Sequence, residues 1–421
     1  MKDFHTALEY CKTNMLKMTQ DECGHRLFCY TKKCFFGDDT WDDVTKSHRG
    51  QLYFENKKVN KPFTKIFNVD EVPETEHNHV YDRMENEPYE IYDKANGHLF
   101  IVSMFVDSKG EQHVVFSTKG SLPNSDNDLL NNDIRVFTEL YGERLDVFCN
   151  AFPNTTLMFE AIVEHDKHSL YDLQVEQYGS KNTFVLLGAS FNMAKSYSDA
   201  AQEYDLNSIY HSKHNNTTLS EDPWVESAWS HLEHIANYIG CPVIKKYDSI
   251  EGSPLSWKEH TDREGYVIHF LTDNTRVKVK TNEYWKNRFM KDLTLEKMLG
   301  VYVKGGRDLF LEKFPEEIAV NCLNVIEIQF SLWYMNDLIR YDDEIHPFLK
   351  ENKFRLTPEK RKWLFTESVF TNWQRNYIAA IVDGKSVTIS DNKHLREMFV
   401  EKNLHNSELT ESIKEIVANG V

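Results

Sequence analysis

Tyr89-Glu90-Ile91-Tyr92 and Leu99-Phe100-Ile101-Val102-Ser103-Met104-Phe105 bracket the break Lys94-Ala95-Asn96-Gly97. Both flanks carry the aromatic and β-branched residues that suit strands. Asn-Gly is a turn signal. The reading is strand, turn, strand, with a lysine at the head of the turn. Working outward, similar strand-like runs recur at Gln51–Phe54, His113–Phe116, Thr156–Ile162, Thr183–Leu187, Tyr266–Phe270 and Arg276–Lys280. Asp107-Ser108-Lys109-Gly110 and Thr272-Asp273-Asn274-Thr275 read as hairpin connections. Helical spacing appears in Asp126–Cys149, at Leu130, Ile134, Phe137 and Leu140, and in Glu221–Ile239, at Val225, Leu232, Ile235 and Ile239. The acidic stretch Asp70–Asn86 reads as an exposed loop, with His77 and His79 in solvent.

The texture changes near residue 291. Ile318, Cys322, Val325, Gln329, Leu332, Asn336 and Ile339 step by three or four behind the start signal Pro315-Glu316-Glu317, predicting one long helix. A second is predicted from Thr357-Pro358-Glu359 to Val382, with Trp363, Phe370, Trp373 and Tyr377 on one side, and shorter ones over Lys393–Lys402 and Ser407–Ala418. Trp333, Trp363, Phe370 and Trp373 read as core residues. The expected fold class is α+β, with a mixed domain over 1–290 and an all-helical domain over 291–421.

The chain has 421 residues, 40% of them hydrophobic, and a net charge of −17. That balance argues against a protein that coats nucleic acid nonspecifically, but leaves room for a local basic groove. No apolar run is long enough to cross a bilayer, and Met1-Lys2-Asp3-Phe4-His5 lacks a signal-peptide core. The expectation is an intracellular, cytoplasmic protein without a membrane partner. The seven cysteines include no Cys-x-x-Cys pair and read as reduced thiols rather than a zinc site, and the eighteen histidines show no ligand spacing.

A turn lysine gains meaning only with partners. Enzymes that form a covalent lysine–nucleotide bond need a deprotonated lysine, so neighbouring positive charge or a metal should lower its pKa. They also need cations for the phosphates and carboxylates for a divalent metal. Arg276-Val277-Lys278-Val279-Lys280 alternates, so Lys278 and Lys280 share one face and the valines the other. Glu264-Gly265-Tyr266-Val267 opens a strand fourteen residues before Lys278, close enough for one hairpin. Phe159-Glu160 offers a second inward carboxylate.

Arg49-Gly50, Lys65-Ile66-Phe67-Asn68, Lys94-Ala95-Asn96-Gly97, Ser117-Thr118-Lys119-Gly120-Ser121, Phe159-Glu160, Glu264-Gly265-Tyr266-Val267 and Lys278-Val279-Lys280 follow one another in that order. The ordered set resembles the ATP-dependent RNA ligases of the phage-type RNA ligase 1 family, over residues 45–285. Asn at the third motif position is similar to the ligase domain of fungal tRNA ligases. The resemblance implies a covalent nucleotidyltransferase core with ATP-grasp-like antiparallel sheets. It implies Lys94 as the nucleophile that becomes Lys–AMP, Gly97 allowing close approach of the nucleotide, Glu160 as a carboxylate contacting the ribose or a metal, and Glu264 as the carboxylate that orders metal. Lys278 and Lys280 would contact phosphates, and Arg49, Lys65, Phe67, Lys119 and Tyr284 would complete the ATP pocket. Expected cofactors are ATP and Mg2+ or Mn2+. The expected partner is RNA, as single-stranded ends or a cleaved tRNA loop. The chain has no Gly-x-x-x-x-Gly-Lys-Ser/Thr loop for preparing ends, and a separate end-healing kinase/phosphatase is one partner the reading allows. A monomer is expected, with a virus- or phage-infected cell as one setting. The alternatives are another covalent nucleotidyltransferase (a DNA ligase or an mRNA capping guanylyltransferase) and a non-catalytic RNA-binding relative.

Overall fold

The computed structural model describes residues 2–35, 41–124, 127–168, 170–192, 224–291, 293–314, 316–352, 355–368, 375, 378, 382, 396–397, 399–400 and 403–419. The chain divides into two compact units, Met1–Tyr284 and Trp285–Val421.

The first unit is mixed α/β. Its strands are β1 (Leu16–Gln20), β2 (Arg26–Tyr30), β3 (Arg49–Phe54), β4 (Lys57–Lys58), β5 (Phe67–Asn68), β6 (Tyr89–Asp93) and β7 (His98–Val106). They continue as β8 (Gln112–Ser117), β9 (Thr155–Ile162), β10 (Thr183–Asn192), β11 (Trp224–Glu226), β12 (Lys246–Tyr247), β13 (Gly265–Phe270) and β14 (Arg276–Lys280). Among the described residues these form three sheets, ordered β1-β2-β3-β4, β11-β10-β9-β7-β8 and β12-β6-β13-β14-β5. Pairing is antiparallel except between β14 and β5.

The topology changes the meaning of the opening motif. β6 and β7 do not pair with each other: β6 lies in the third sheet and β7 in the second. Lys94-Ala95-Asn96-Gly97 is therefore a crossover between sheets rather than a hairpin tip, and it is buried, with Ala95 3% and Asn96 2% exposed.

Alternation along the strands assigns each face. On β9, Leu157, Phe159 and Ala161 pack under the helices Asp128–Ala151 and Trp229–Ile239. There Phe137 meets Phe100, Phe159 and Phe184 at ring-centroid distances of 5.1, 5.1 and 5.0 Å. Met158, Glu160 and Ile162 point to the opposite face. On β14, Val277 and Val279 enter the third sheet's core with Ile91, Tyr266 and Ile268, which turns Lys278 and Lys280 the other way.

Several expectations change. Asp70–Asn86 is not an open loop. It holds a 3-10 turn at Pro73–Thr75 and a helix over His77–Asn86. Fully buried Val80, with Met84 packed beside it, anchors that helix in the third sheet's core. The helix expected over Glu221–Ile239 is shorter: Trp224–Glu226 pairs with β10 as a strand, and the helix begins at Trp229.

In the second unit the described elements are helices, including Leu295–Lys313, Glu316–Glu351, Pro358–Thr366 and Ser407–Asn419. The buried stripe of Glu316–Glu351 runs through Ile318, Cys322, Ile326 and Phe330, so beyond Cys322 it sits one residue past the expected one and leaves Leu332 exposed. The larger apolar side chains at 326 and 330 win over Val325 and Gln329. Trp333 packs on Phe330 and Phe399, whereas Trp363 is 40% exposed rather than core. Phe370, Trp373 and Tyr377 lie outside the described residues, as does most of the helix expected beyond Thr366 and over Lys393–Lys402. Among the described residues, no helix is long and apolar enough to cross a membrane.

Phe137→Ala should destabilise the first unit by about 3–5 kcal/mol, the cost of an aromatic cavity in a packed core. A urea unfolding curve of the full chain checks it; a shift under 1 kcal/mol would show that the four-ring cluster is not load-sharing.

Candidate functional site

The crossover sets a lysine against a buried carboxylate. Lys94 Nζ lies 2.9 Å from Glu264 Oε1, and Lys280 Nζ lies 4.0 Å from the same oxygen. Asn96 Nδ2 donates to Glu264 Oε2 at 2.7 Å. Backbone pairing fixes these positions: the Lys94 N–H donates to the Gly265 carbonyl at 3.0 Å, and Gly265 is opposite Lys280 in the β13–β14 register. Gly265 is required there, because its φ is +152° and a Cβ would sit 1.9 Å from the Val279 carbonyl oxygen.

Gly97 closes the turn. Its N–H donates to Glu160 Oε1 at 3.0 Å, and a Cβ would sit 2.1 Å from the Ala161 carbonyl oxygen. The turn thus ties Glu160 on β9 and Glu264 before β13 to one lysine.

Charge in the site runs opposite to the sequence expectation. Burial pulls the Lys94 ammonium down, but the Glu264 and Glu160 carboxylates and Tyr284 outweigh it and hold its pKa above that of an ordinary lysine. Burial pushes Glu264 up, yet Lys94, Lys280 and the Asn96 amide hold it below the usual carboxylate range. The protein's own groups therefore keep Lys94 protonated. Glu160 spends one oxygen on Gly97, and two hard carboxylates bearing on one lysine fit a divalent cation such as Mg2+ or Mn2+.

The remaining expected residues are distributed over several elements. Tyr284 is buried, with Lys280 Nζ 5.5 Å from its ring centre. Lys278 shares a face with Lys280 and pairs through its backbone with Asn68 on β5. Lys65, Phe67 and Lys119 gather at a second focus. Lys65 Nζ pairs with Glu71 at 3.0 Å and lies 5.0, 5.5 and 5.8 Å from the ring centres of Phe67, Trp41 and Tyr30. Lys119 Nζ is 5.6 Å from the Tyr30 ring. Arg49 opens β3, and its Nη1 is buried without a hydrogen-bond partner.

Two contributors had no sequence signal. Gln174, in an unremarked helix over Tyr171–Tyr178, accepts from the Asn96 N–H at 3.1 Å. The Leu170 N–H donates to Asn96 Oδ1 at 2.9 Å. With its own donor on Glu264, Asn96 is held at three points. An Asp there would set a second carboxylate against Glu264, so Asn is what this arrangement requires.

A protein-family model for RNA ligase matches residues 44–291. Among solved structures, an archaeal ATP-dependent RNA ligase aligns with 12% identity and a TM-score of 0.41, covering 96% of this chain and 95% of that one. A Naegleria gruberi RNA ligase mutant in the apo form aligns with 14% identity and a TM-score of 0.33, over 54% of this chain; this chain spans 57% of that ligase. Another mutant of that ligase, with ATP and Mn, aligns with 13% identity and a TM-score of 0.34, over 64% of this chain and 75% of that one. None of the curated proteins matches the chain significantly.

Two outcomes follow from the geometry. Glu264→Gln should lower the Lys94 pKa, because burial is then opposed by less negative charge; an NMR titration of labelled lysine that finds it unmoved refutes the assignment of the pair. Gly97→Ala should cost about 1–3 kcal/mol of stability through overpacking against Ala161, visible as a lower urea midpoint.

Proposed function

Since the chain belongs to the RNA ligase family, we propose that it joins RNA 5′-phosphate and 3′-hydroxyl ends at the expense of ATP, with Lys94 as the nucleophile. The observation that carries this reading is the meeting of Lys94, Asn96, Glu264 and Lys280, residues up to 186 positions apart, around one buried carboxylate.

In the first step Lys94 gives a proton to water, and its free amine attacks the α-phosphorus of ATP. The Nζ–P bond forms, the bond to the bridging β-phosphate oxygen breaks, and pyrophosphate leaves. The AMP then passes to an RNA 5′-phosphate, and an RNA 3′-hydroxyl displaces it to seal the strand. Lys280 and Lys278 hold the phosphates from one face of β14. Gly97 gives the nucleotide close approach, and Arg49, Phe67, Lys119 and Tyr284 complete the pocket. Lys65 takes part by exchanging Glu71 for phosphate. Held by Glu160 and Glu264, Mg2+ or Mn2+ would supply positive charge that screens both carboxylates from Lys94 and neutralises phosphate. Asn96 keeps Glu264 aimed at Lys94.

The wider reading is a covalent nucleotidyltransferase core over residues 1–290, with residues 291–421 choosing the RNA. The setting is RNA repair, with cleaved tRNA as one substrate, in a cytoplasmic monomer served by a separate end-healing kinase/phosphatase.

The test is incubation with α-phosphate-labelled ATP and Mg2+. Wild type should carry label that survives denaturation, and Lys94→Ala should carry none. Lys280→Ala should label at least about a hundredfold more slowly, on the order of 2.7 kcal/mol of lost transition-state stabilisation. An unlabelled wild type, or an equally labelled Lys94→Ala, overturns the mechanism. GTP in place of ATP, and DNA in place of RNA ends, separate this reading from a capping enzyme and a DNA ligase.

A further inference from the structure

A second polar cluster lies behind the crossover. His98 begins β7, directly after Gly97. Its Nε2 is 2.8 Å from Oδ2 of Asp133, a fully buried aspartate on the Asp128–Ala151 helix. The other Asp133 oxygen is 2.9 Å from His165 Nε2. Turned away from Asp133, His98 Nδ1 is buried and lies 3.2 Å from Asp166 Oδ2. His168 Nε2 reaches the same Asp166 oxygen at 3.3 Å. The donor atoms of His98, Asp166 and His168 all fall within 4.8 Å of one another.

The 3.2 and 3.3 Å separations of Asp166 Oδ2 from the two ring nitrogens suit neighbouring ligands of one tetrahedral ion. Zinc bonds of about 2.0–2.1 Å place neighbouring ligands about 3.3 Å apart. Imidazole nitrogens select zinc over the hard cations that suit carboxylates alone. Asp133 supplies the carboxylate behind a ligating histidine that fixes its ring and leaves the other nitrogen for metal. Two other groupings are weaker. Asp107, Glu111 and His113 share a hairpin turn, where Asp107 Oδ1 already accepts the Lys109 and Glu111 amides. Asp21, Cys23 and His25 lie on a turn where Asp21 Oδ1 accepts the His25 amide and Oδ2 holds the His25 ring.

We propose that His98 Nδ1, Asp166 and His168 Nε2 form a zinc site, with Asp133 orienting His98 and a fourth position open to water. Its ligands come from the strand after the Lys94 turn and from the loop after Glu160. The ion would clasp that loop to the crossover. Leu170, two residues beyond His168, donates to Asn96, so the clasp would hold the loop that fixes Asn96.

The test uses the full chain without a histidine tag, stripped by chelator, then equilibrated with zinc in excess Mg2+ so that hard-oxygen sites are filled. About one zinc should remain after desalting. Asp166→Ala and His168→Ala should each bind at least about a hundredfold more weakly. Cobalt in place of zinc should give the visible bands of a tetrahedral ion in wild type, and His168→Ala should lose them. No retained zinc, or retention unchanged in both variants, overturns the site and leaves a protonated His98 between two aspartates. Should the variants fail to fold, the wild-type cobalt spectrum decides: without tetrahedral bands the site is wrong.

Discussion

Glu264 is the constraint around which the first unit is arranged. A fully buried carboxylate is costly unless it is paired and hydrogen-bonded. Here Lys94, Lys280 and Asn96 satisfy it. Each partner arrives by a different route: Lys94 and Asn96 on the crossover between sheets, Lys280 on the neighbouring strand. For all three to reach one carboxylate, β6, β7, β13 and β14 must hold their register. Gly265, pressed on Val279, and Gly97, pressed on Ala161, leave no slack at either end of that requirement.

The same arrangement explains what was legible in the sequence. Period-two alternation put Lys278 and Lys280 on one face and the valines in the core, because strand geometry is local. Turn chemistry marked Lys94-Ala95-Asn96-Gly97 as a break in the strands for the same reason. Alternation and turn residues carry no information on which strands pair, so the change of sheet at that break was invisible. So were Gln174 and the Leu170 amide, which matter through position rather than type. His98, Asp166 and His168 were hidden likewise, since their spacing along the chain bears no relation to their spacing in the fold.

Other differences have the same origin. In the acidic stretch 70–86, charge suggested solvent while Val80 and the pairing of Arg83 with Glu87 made a helix. In the long helix of the second unit, counting by three and four found an apolar stripe but set its phase through Val325 and Gln329; burial follows Ile326 and Phe330. Lys65 shows a further limit. Its place in the ordered set suggested a cation waiting for phosphate, yet its ammonium is paired with Glu71 and ringed by Tyr30, Trp41 and Phe67.

The raised pKa of Lys94 has a consequence beyond catalysis. Only the neutral amine of a lysine reacts with carbonyl compounds, cyanate or stray acyl donors; the ammonium does not. An activated lysine on a turn would be the first residue in the protein to be lost to such adducts as it ages. The ion pair with Glu264 and the nearby charge of Glu160 keep this side chain in its unreactive form, so the position with most to lose from chemical damage is shielded from it.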